Sequence, residues 1–108
     1  MKLITAIVRP DVVDDLVAAV AEAGAHGLTA TEVIGFGQQY GHAGALSSAA
    51  LLPKVRLDIA VRDGAAESVT EAIAKRANSG TIGDGKIWVT TLDSVLRVRT
   101  GERDDAAL

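Results

Sequence analysis

KVRLDIAV, at residues 54–61, alternates apolar residues with the polar side chains of Lys54, Arg56 and Asp58. Its apolar members are Val55, Leu57, Ile59 and Val61. Because successive side chains of a strand point to opposite faces of its sheet, this pattern predicts a strand with one buried and one polar face. The neighbouring segments are therefore expected to supply the rest of a sheet and a layer that covers its apolar face.

Two more strands and a helix are predicted upstream. KLITAIVR, residues 2–9, is a short run rich in branched aliphatic residues that stops at Pro10, and it predicts the first strand. A helix is expected from Asp11 until Gly24 ends it. The expected apolar face of this helix consists of Val13, Leu16, Val17 and Val20. LTATEVIGF, residues 28–36, has the β propensity of a second strand.

Downstream, the pattern predicts a second helix and a last strand. The helix is expected at about residues 65–77, because Asn78 and Gly80 act as stop signals. Its predicted face consists of Ala65, Val69, Ala72, Ile73 and Arg76. IWVTT, residues 87–91, predicts a strand, and VLRVRT, residues 95–100, predicts a final extended piece.

The element order β-α-β-β-α-β predicts an α+β fold, the ferredoxin-like sandwich. In this fold a four-stranded antiparallel sheet carries both helices on one face. The other face would stay bare, and we expect it to be buried in a closed cyclic oligomer. Residues 1–108 are expected to form a single domain, with a long loop at about 37–53 and a C-terminal extension at about 95–108.

Composition excludes several classes of function. The 108 residues carry a net charge of −3, so the basic excess of a nucleic-acid-binding protein is missing. Cysteine is absent, and His26 and His42 alone form no recognisable metal motif. Acids follow the first apolar run directly, so we expect no secretory leader, no membrane insertion and a cytoplasmic location.

GTIGDGK, residues 80–86, is the most informative segment for function. Two glycines, Gly83 and Gly85, would let backbone N–H groups around Asp84 point into one concavity, and Lys86 adds a positive charge at its rim. Such a loop suits a phosphate group. The alternative is an ordinary tight turn before a strand, because short glycine-rich loops are weak indicators.

Two other groups could contribute to an anion site. Arg97 and Arg99 flank Val98, so in a strand both guanidinium groups would leave one face about 7 Å apart, and they would repel each other without an anion. A charged edge that discourages strand pairing is the alternative. GFGQQYG, residues 35–41, offers glycines and two amides at the mouth of the long loop, where a hinge is the alternative. Lys54 is expected on the polar side of its strand, where a plain surface lysine is the alternative.

The remaining residues offer little support for catalysis. His42 is expected to be a solvent-exposed side chain of the loop, and Trp88 to belong to the core or to an interface. The sequence contains no Ser-His-Asp order, zinc-protease motif or recognisable pair of desolvated carboxylates. These features indicate a nucleotide-binding module that senses its ligand and is not an enzyme.

Five segments, in order and along nearly the whole chain, resemble the PII nitrogen-regulatory signal proteins. They are MKLITAIVRP, TEVIGFGQQYGH, LPKVRLDIAV, GTIGDGKIWV and RVRTGE. The resemblance implies a homotrimer that binds ATP or ADP in clefts between subunits. It also implies a long loop that contacts a regulated transporter, enzyme or regulator of nitrogen metabolism.

The resemblance also assigns roles by position. The residues it implies around the nucleotide are Thr29, Gly37, Gln38, Gln39, Ala60, Gly83, Asp84, Gly85, Lys86, Arg97, Val98 and Arg99. Gln39 would help to hold Mg²⁺, and Gln39 with Lys54 would bind 2-oxoglutarate.

This chain departs from the family pattern in its loop. Gln38 stands where many members have an arginine, Tyr40 replaces the usual lysine, and the shortened loop lacks the modifiable tyrosine. These departures leave open a sensor of ADP or AMP and another anion, such as bicarbonate. An acylphosphatase-like enzyme is a third alternative, on fold analogy alone.

Overall fold

Four strands and two α-helices follow one another along the chain in the predicted order. They are β1 Lys2–Val8, α1 Val13–Glu22, β2 Thr29–Gly35, β3 Leu52–Val61, α2 Ala66–Ala77 and β4 Gly85–Thr91. The computed structural model describes residues 1–37 and 51–108, so the middle of the predicted loop lies outside the described residues. β3 and β4 each begin two residues before their predicted starts.

The strands form one antiparallel sheet in the order β2-β3-β1-β4. β1 is central, and its Thr5 lies opposite Asp58 of β3 and Trp88 of β4. β2 and β4 are the edges. The element order and this topology confirm the ferredoxin-like arrangement.

The core lies on one face of the sheet. Ile4, Ala6 and Val8 alternate along β1, and the four apolar residues of KVRLDIAV do the same along β3. They pack in one cluster with residues of both helices, which include Leu16, Val20, Val69 and Ile73. Both helices therefore cover the same face, as predicted. Each fully buried Ile, Leu or Val contributes about 1.5–3 kcal/mol to this packing.

The helices differ in detail from the predicted patterns. A 3-10 turn at Pro10–Val12 precedes α1, which begins two residues after the predicted Asp11. Val17 is 45% exposed, whereas Ala19 is buried. Successive residues of an α-helix are about 100° apart around its axis, so Val17 lies about 100° from buried Leu16. Ala19 lies only about 60° from Leu16, and it therefore faces the core. In α2, Arg76 is exposed in the last turn rather than on the buried face.

The opposite face of the sheet is not covered by any of the described elements. On this face the Thr5 hydroxyl donates to Asp58 at 3.0 Å, and Arg56 donates to the same carboxylate at 3.0 Å. The hydrogen bonds from Arg56 lower the pKa of Asp58. Trp88 is 41% exposed here, so it does not belong to the core of the single chain, and its predicted place in an interface stays a prediction.

The C-terminal segment is not the predicted extended piece. Leu96 pairs with Arg103, and residues 98–100 form a turn between them. The Arg97 N–H donates to Glu102 O at 2.9 Å, and the Gly101 N–H donates to Arg97 O at 2.8 Å. Gly101 adopts a φ of 74°, which lets the chain reverse. The predicted strand spacing of the two arginines is therefore wrong.

None of the helices in the described ranges has both the length and the apolar character needed to cross a bilayer.

Replacing Gly85 by Ala should destabilise the fold strongly. Gly85 has a φ of 116°, and an added Cβ would lie 1.9 Å from the carbonyl oxygen of Ile7 in the neighbouring strand. We expect the free energy of unfolding to fall by about 2–5 kcal/mol in urea titrations at matched protein concentration. Gly27→Ala is the control, because nothing lies within 4 Å of its added Cβ, and it should change stability by less than about 0.5 kcal/mol. Equal stability of the two variants would contradict the close approach of β4 to β1.

Candidate functional site

A cavity of about 610 Å³ opens at the end of the sheet where β4 begins. Residues from β1, the end of β2, β3, the loop before β4 and β4 itself surround it. Its lining consists of Ile7, Gly35, Phe36, Gly37, Lys54, Thr81, Ile82, Gly83, Asp84, Gly85, Lys86 and Trp88. The structure thus brings the predicted residues Gly37, Lys54 and Gly83 to Lys86 together around one pocket.

Two lysines give the pocket a positive wall. Lys54 lies on the opposite face of β3 from buried Val55, as predicted, and its Nζ donates to the carbonyl oxygen of Gly83 at 2.9 Å. Lys86 is exposed and pairs in register with Ile7, which also lines the pocket. Two ammonium groups on one cavity favour an anionic ligand.

Apolar side chains line the rest of the pocket. Ile7, Phe36, Ile82 and Trp88 contribute to it, and sequence analysis assigned none of them to a site. The two-residue alternation of β4 could have assigned Trp88 to the site, because Trp88 is two residues from Lys86 and so lies on the same face of the strand. The pocket therefore suits a ligand that combines an anionic group with an apolar or flat part.

The glycine-rich loop already holds an anion, the carboxylate of Asp84. This carboxylate accepts hydrogen bonds from the backbone N–H of Ser79 at 2.7 Å and of Gly80 at 3.0 Å. It also accepts hydrogen bonds from the side chains of Ser79 and Thr81. The converging amides are those of Ser79 and Gly80, and they bind a side chain of the chain itself, so the predicted concavity of amides around Gly83 and Gly85 stays a prediction. Asp84 is therefore engaged within the loop.

Arg9 completes this network, and sequence analysis missed it. Its Nη1 donates to Asp84 at 2.5 Å and to the Ser79 hydroxyl at 3.0 Å, while its Nε donates to Asp11 at 3.0 Å. No local motif announces these contacts, because Arg9 follows β1 and Asp84 precedes β4. Only the pairing of the two strands brings them together.

The other predicted nucleotide-binding residues lie at the opposite end of the sheet. Thr29 begins β2, whereas Gly35 ends it beside the pocket, which separates them by about 20 Å at 3.3 Å per residue. Ala60 lies at this same far end, two residues beyond Asp58, the partner of Thr29. These residues therefore do not join the pocket within one chain.

Arg97 belongs to the same far end. Its Nη2 donates to Leu108 O at 3.2 Å, and the same oxygen lies 3.2 Å from Nδ1 of His26, just before β2. Arg97 also pairs with Glu102 at 2.8 Å, so it is not the unbalanced cation that the sequence suggested. Val98 and Arg99 follow in the exposed turn.

Two of the predicted nucleotide-binding residues, Gln38 and Gln39, lie outside the described residues, as do Tyr40 and His42. Within residues 1–37 and 51–108, no three His, Cys, Asp or Glu side chains are placed to hold a metal ion together.

Acid should weaken the Asp84 network. Hydrogen bonds from the Ser79 hydroxyl and from the loop amides lower the pKa of Asp84 from 3.8 to about 2. A lowered carboxyl pKa stabilises the fold above pH 3.8, and this contribution is lost as the pH falls towards 2.

Asp84→Asn should therefore lose stability at neutral pH and show a shallower decline between about pH 4 and about pH 2 than the wild type. Urea-unfolding midpoints across this range measure the effect. Asp93→Asn, at an exposed loop position, should keep the wild-type pH dependence. An unchanged slope in Asp84→Asn would show that the carboxylate does not stabilise the loop.

The chain is similar to known proteins along its whole length. The family described as "Nitrogen regulatory protein P-II" matches residues 1–102. Nitrogen regulatory protein GlnK of Escherichia coli strain K12 is 48% identical over 112 aligned positions, which cover all of both chains. Nitrogen regulatory protein P-II of Klebsiella oxytoca and nitrogen regulatory protein P-II 1 of Escherichia coli strain K12 are each 46% identical, again over the full length of both chains.

These matches span the sheet, both helices, the pocket and the C-terminal turn, and they agree with the resemblance drawn from the five sequence segments. The chain belongs to the P-II family of nitrogen regulatory proteins.

Proposed function

We propose that this protein is a signal-transduction protein that binds adenine nucleotides between copies of itself and regulates partner proteins of nitrogen metabolism. One observation carries the proposal. The residues expected around the nucleotide form two groups, and these groups lie at opposite ends of the same sheet.

The two groups are complementary in chemistry. The first half-site is the pocket with Lys54 and Lys86. The second half-site comprises Thr29, Ala60 and the turn from Arg97 to Arg99. Lys54 and Lys86 give positive charge to the first half-site, and exposed Arg99 gives it to the second, so a polyphosphate held between them would be contacted from both sides.

Joining the half-sites requires a head-to-tail contact between copies. A heterologous contact of this kind closes into a ring when the rotation permits. The family resemblance implies a ring of three, in which the uncovered face of the sheet would be buried around the axis. The Thr5, Arg56 and Asp58 network lies on that face. Sedimentation of the protein should then give about three times the chain mass of 11.1 kDa.

Lys54 in the pocket would favour a second ligand that carries a carboxylate. Lys54 is half-buried, and its ammonium group bonds to the carbonyl oxygen of Gly83. A carboxylate such as that of 2-oxoglutarate would be a stronger partner for this ammonium group. Mg²⁺ would enter with the nucleotide, and Gln39, its expected protein ligand, lies outside the described residues.

The proposed mechanism is linkage and not turnover. Nucleotide and second ligand bind at the subunit cleft, and their coupling to partner affinity is typically about 1–3 kcal/mol. Among the described residues the pocket presents two lysines, which can bind and orient an anion, and a carboxylate that is engaged by its own loop.

The family assignment disfavours an acylphosphatase-like reaction, which a phosphate-release assay would test. A cytoplasmic location stays a prediction.

Lys86→Ala should weaken ATP binding at least tenfold, or by about 1.4 kcal/mol, because it removes a charge-assisted contact at the rim of the pocket. Isothermal titration calorimetry measures the effect. Lys75→Ala is the matched control, since this exposed lysine lies in the last turn of α2 and the helices cover the other face of the sheet. It should bind ATP as the wild type does. Equal affinities for all three proteins would place the nucleotide elsewhere.

The same calorimeter separates the nitrogen sensor from its alternative. ATP, ADP and AMP are titrated with and without Mg²⁺, and each series is repeated with 2-oxoglutarate and with bicarbonate. The proposed function predicts that 2-oxoglutarate tightens ATP binding. Tightening by bicarbonate alone would favour the sensor of another anion.

A further inference from the structure

We propose that Arg9 sets the anion affinity of the pocket by neutralising Asp84, although Arg9 is not among the lining residues. It acts as a positioning and charge-balancing residue, and this inference rests on the proposed function. The role follows from the negative charge of Asp84 in the wall of the pocket.

The problem is a carboxylate in the wall of an anion site. Asp84 is the one acidic residue among the described residues that line the pocket. An ionised carboxylate would repel a phosphate or carboxylate ligand across the cavity. Protonation does not remove the charge near neutral pH, because the hydrogen bonds from the loop hold the pKa of Asp84 at about 2.

The fold compensates for this charge in two ways. The carboxylate is directed at the Ser79 and Gly80 amides, so its oxygens are engaged by the loop. Arg9 then provides a full opposite charge at 2.5 Å. The loop amides orient the carboxylate, and Arg9 is the cationic side chain among the described residues that pairs with it.

Further contacts hold the Arg9 guanidinium beside Asp84. Its guanidinium also contacts the Ser79 hydroxyl and Asp11, and its side chain is 29% exposed. With Asp84 neutralised, Lys54 and Lys86 are left as the uncompensated charges of the described lining. Without Arg9, Asp84 would offset one of those two lysines.

Arg9→Gln should therefore weaken ATP binding about tenfold, although it removes no residue from the lining. The test compares wild type, Arg9→Gln, Arg9→Lys and the double variant Arg9→Gln/Asp84→Asn by ATP titration calorimetry, with thermal unfolding of each. Arg9→Lys keeps the charge and should bind ATP within about threefold of wild type. The double variant removes both charges and should recover most of the affinity lost in Arg9→Gln.

The double variant distinguishes charge from architecture. If Arg9 only supported the shape of the loop, the double variant would bind ATP as weakly as Arg9→Gln or more weakly, and this result would overturn the inference. The double variant also remains informative if Arg9→Gln fails to fold, because it leaves no unpaired charge at position 84 and the remaining Asp11 carboxylate is 72% exposed. Its affinity must then lie within about threefold of wild type, and a larger loss contradicts the inference.

Two further arms complete the design. Lys75→Gln also removes one positive charge, at an exposed position of α2 outside the pocket lining, and should leave ATP affinity unchanged. A loss as large as that of Arg9→Gln would assign the effect to overall charge and overturn the inference. A wild type that binds no ATP would overturn the proposed function. A wild type that binds ATP with the same affinity as Arg9→Gln would overturn this inference alone.

Discussion

The length and stiffness of one antiparallel sheet are the constraint on which this structure depends. β1 pairs with both β3 and β4 along its full length, and the helices cover only one face. The two ends of the sheet are therefore held about 20 Å apart by hydrogen-bonded backbone. Candidate ligand-binding residues lie at both ends, so the proposed nucleotide site is divided into two partial sites within a single chain.

The pocket end indicates how the proposed anion site would be built when little basic charge is available. The chain carries more acidic than basic residues, with 14 against 11. Local arrangement must therefore supply the positive potential, and it does so by concentrating Lys54 and Lys86 on one cavity while Arg9 cancels Asp84. Asp84 in turn organises the loop from Ser79 to Thr81. Loop structure and pocket charge thus depend on the same ion pair.

The sequence predicted what local periodicity encodes. The alternation from Val55 to Val61 gave the buried face of β3, and the side of Lys54 followed from it. The C-terminal turn was missed because Arg97 to Arg99 has the composition of a strand, while its reversal depends on Gly101 and on pairing with Glu102. Arg9 and Asp84 were not associated for a related reason, since only strand pairing brings them together. Gln38 and Gln39 remain predictions, because they lie outside the described residues.

The central claim is that a complete nucleotide site exists only between copies, and subunit mixing tests it most directly. Lys86→Ala impairs one half-site and Arg99→Ala the other, so each protein alone should bind ATP weakly. When the two are unfolded together and reassembled, each mixed trimer should contain one intact site, formed by the sound halves of two different chains. The account predicts that tight ATP binding returns at about one site per mixed trimer. No recovery of tight sites in verified mixed trimers would contradict it.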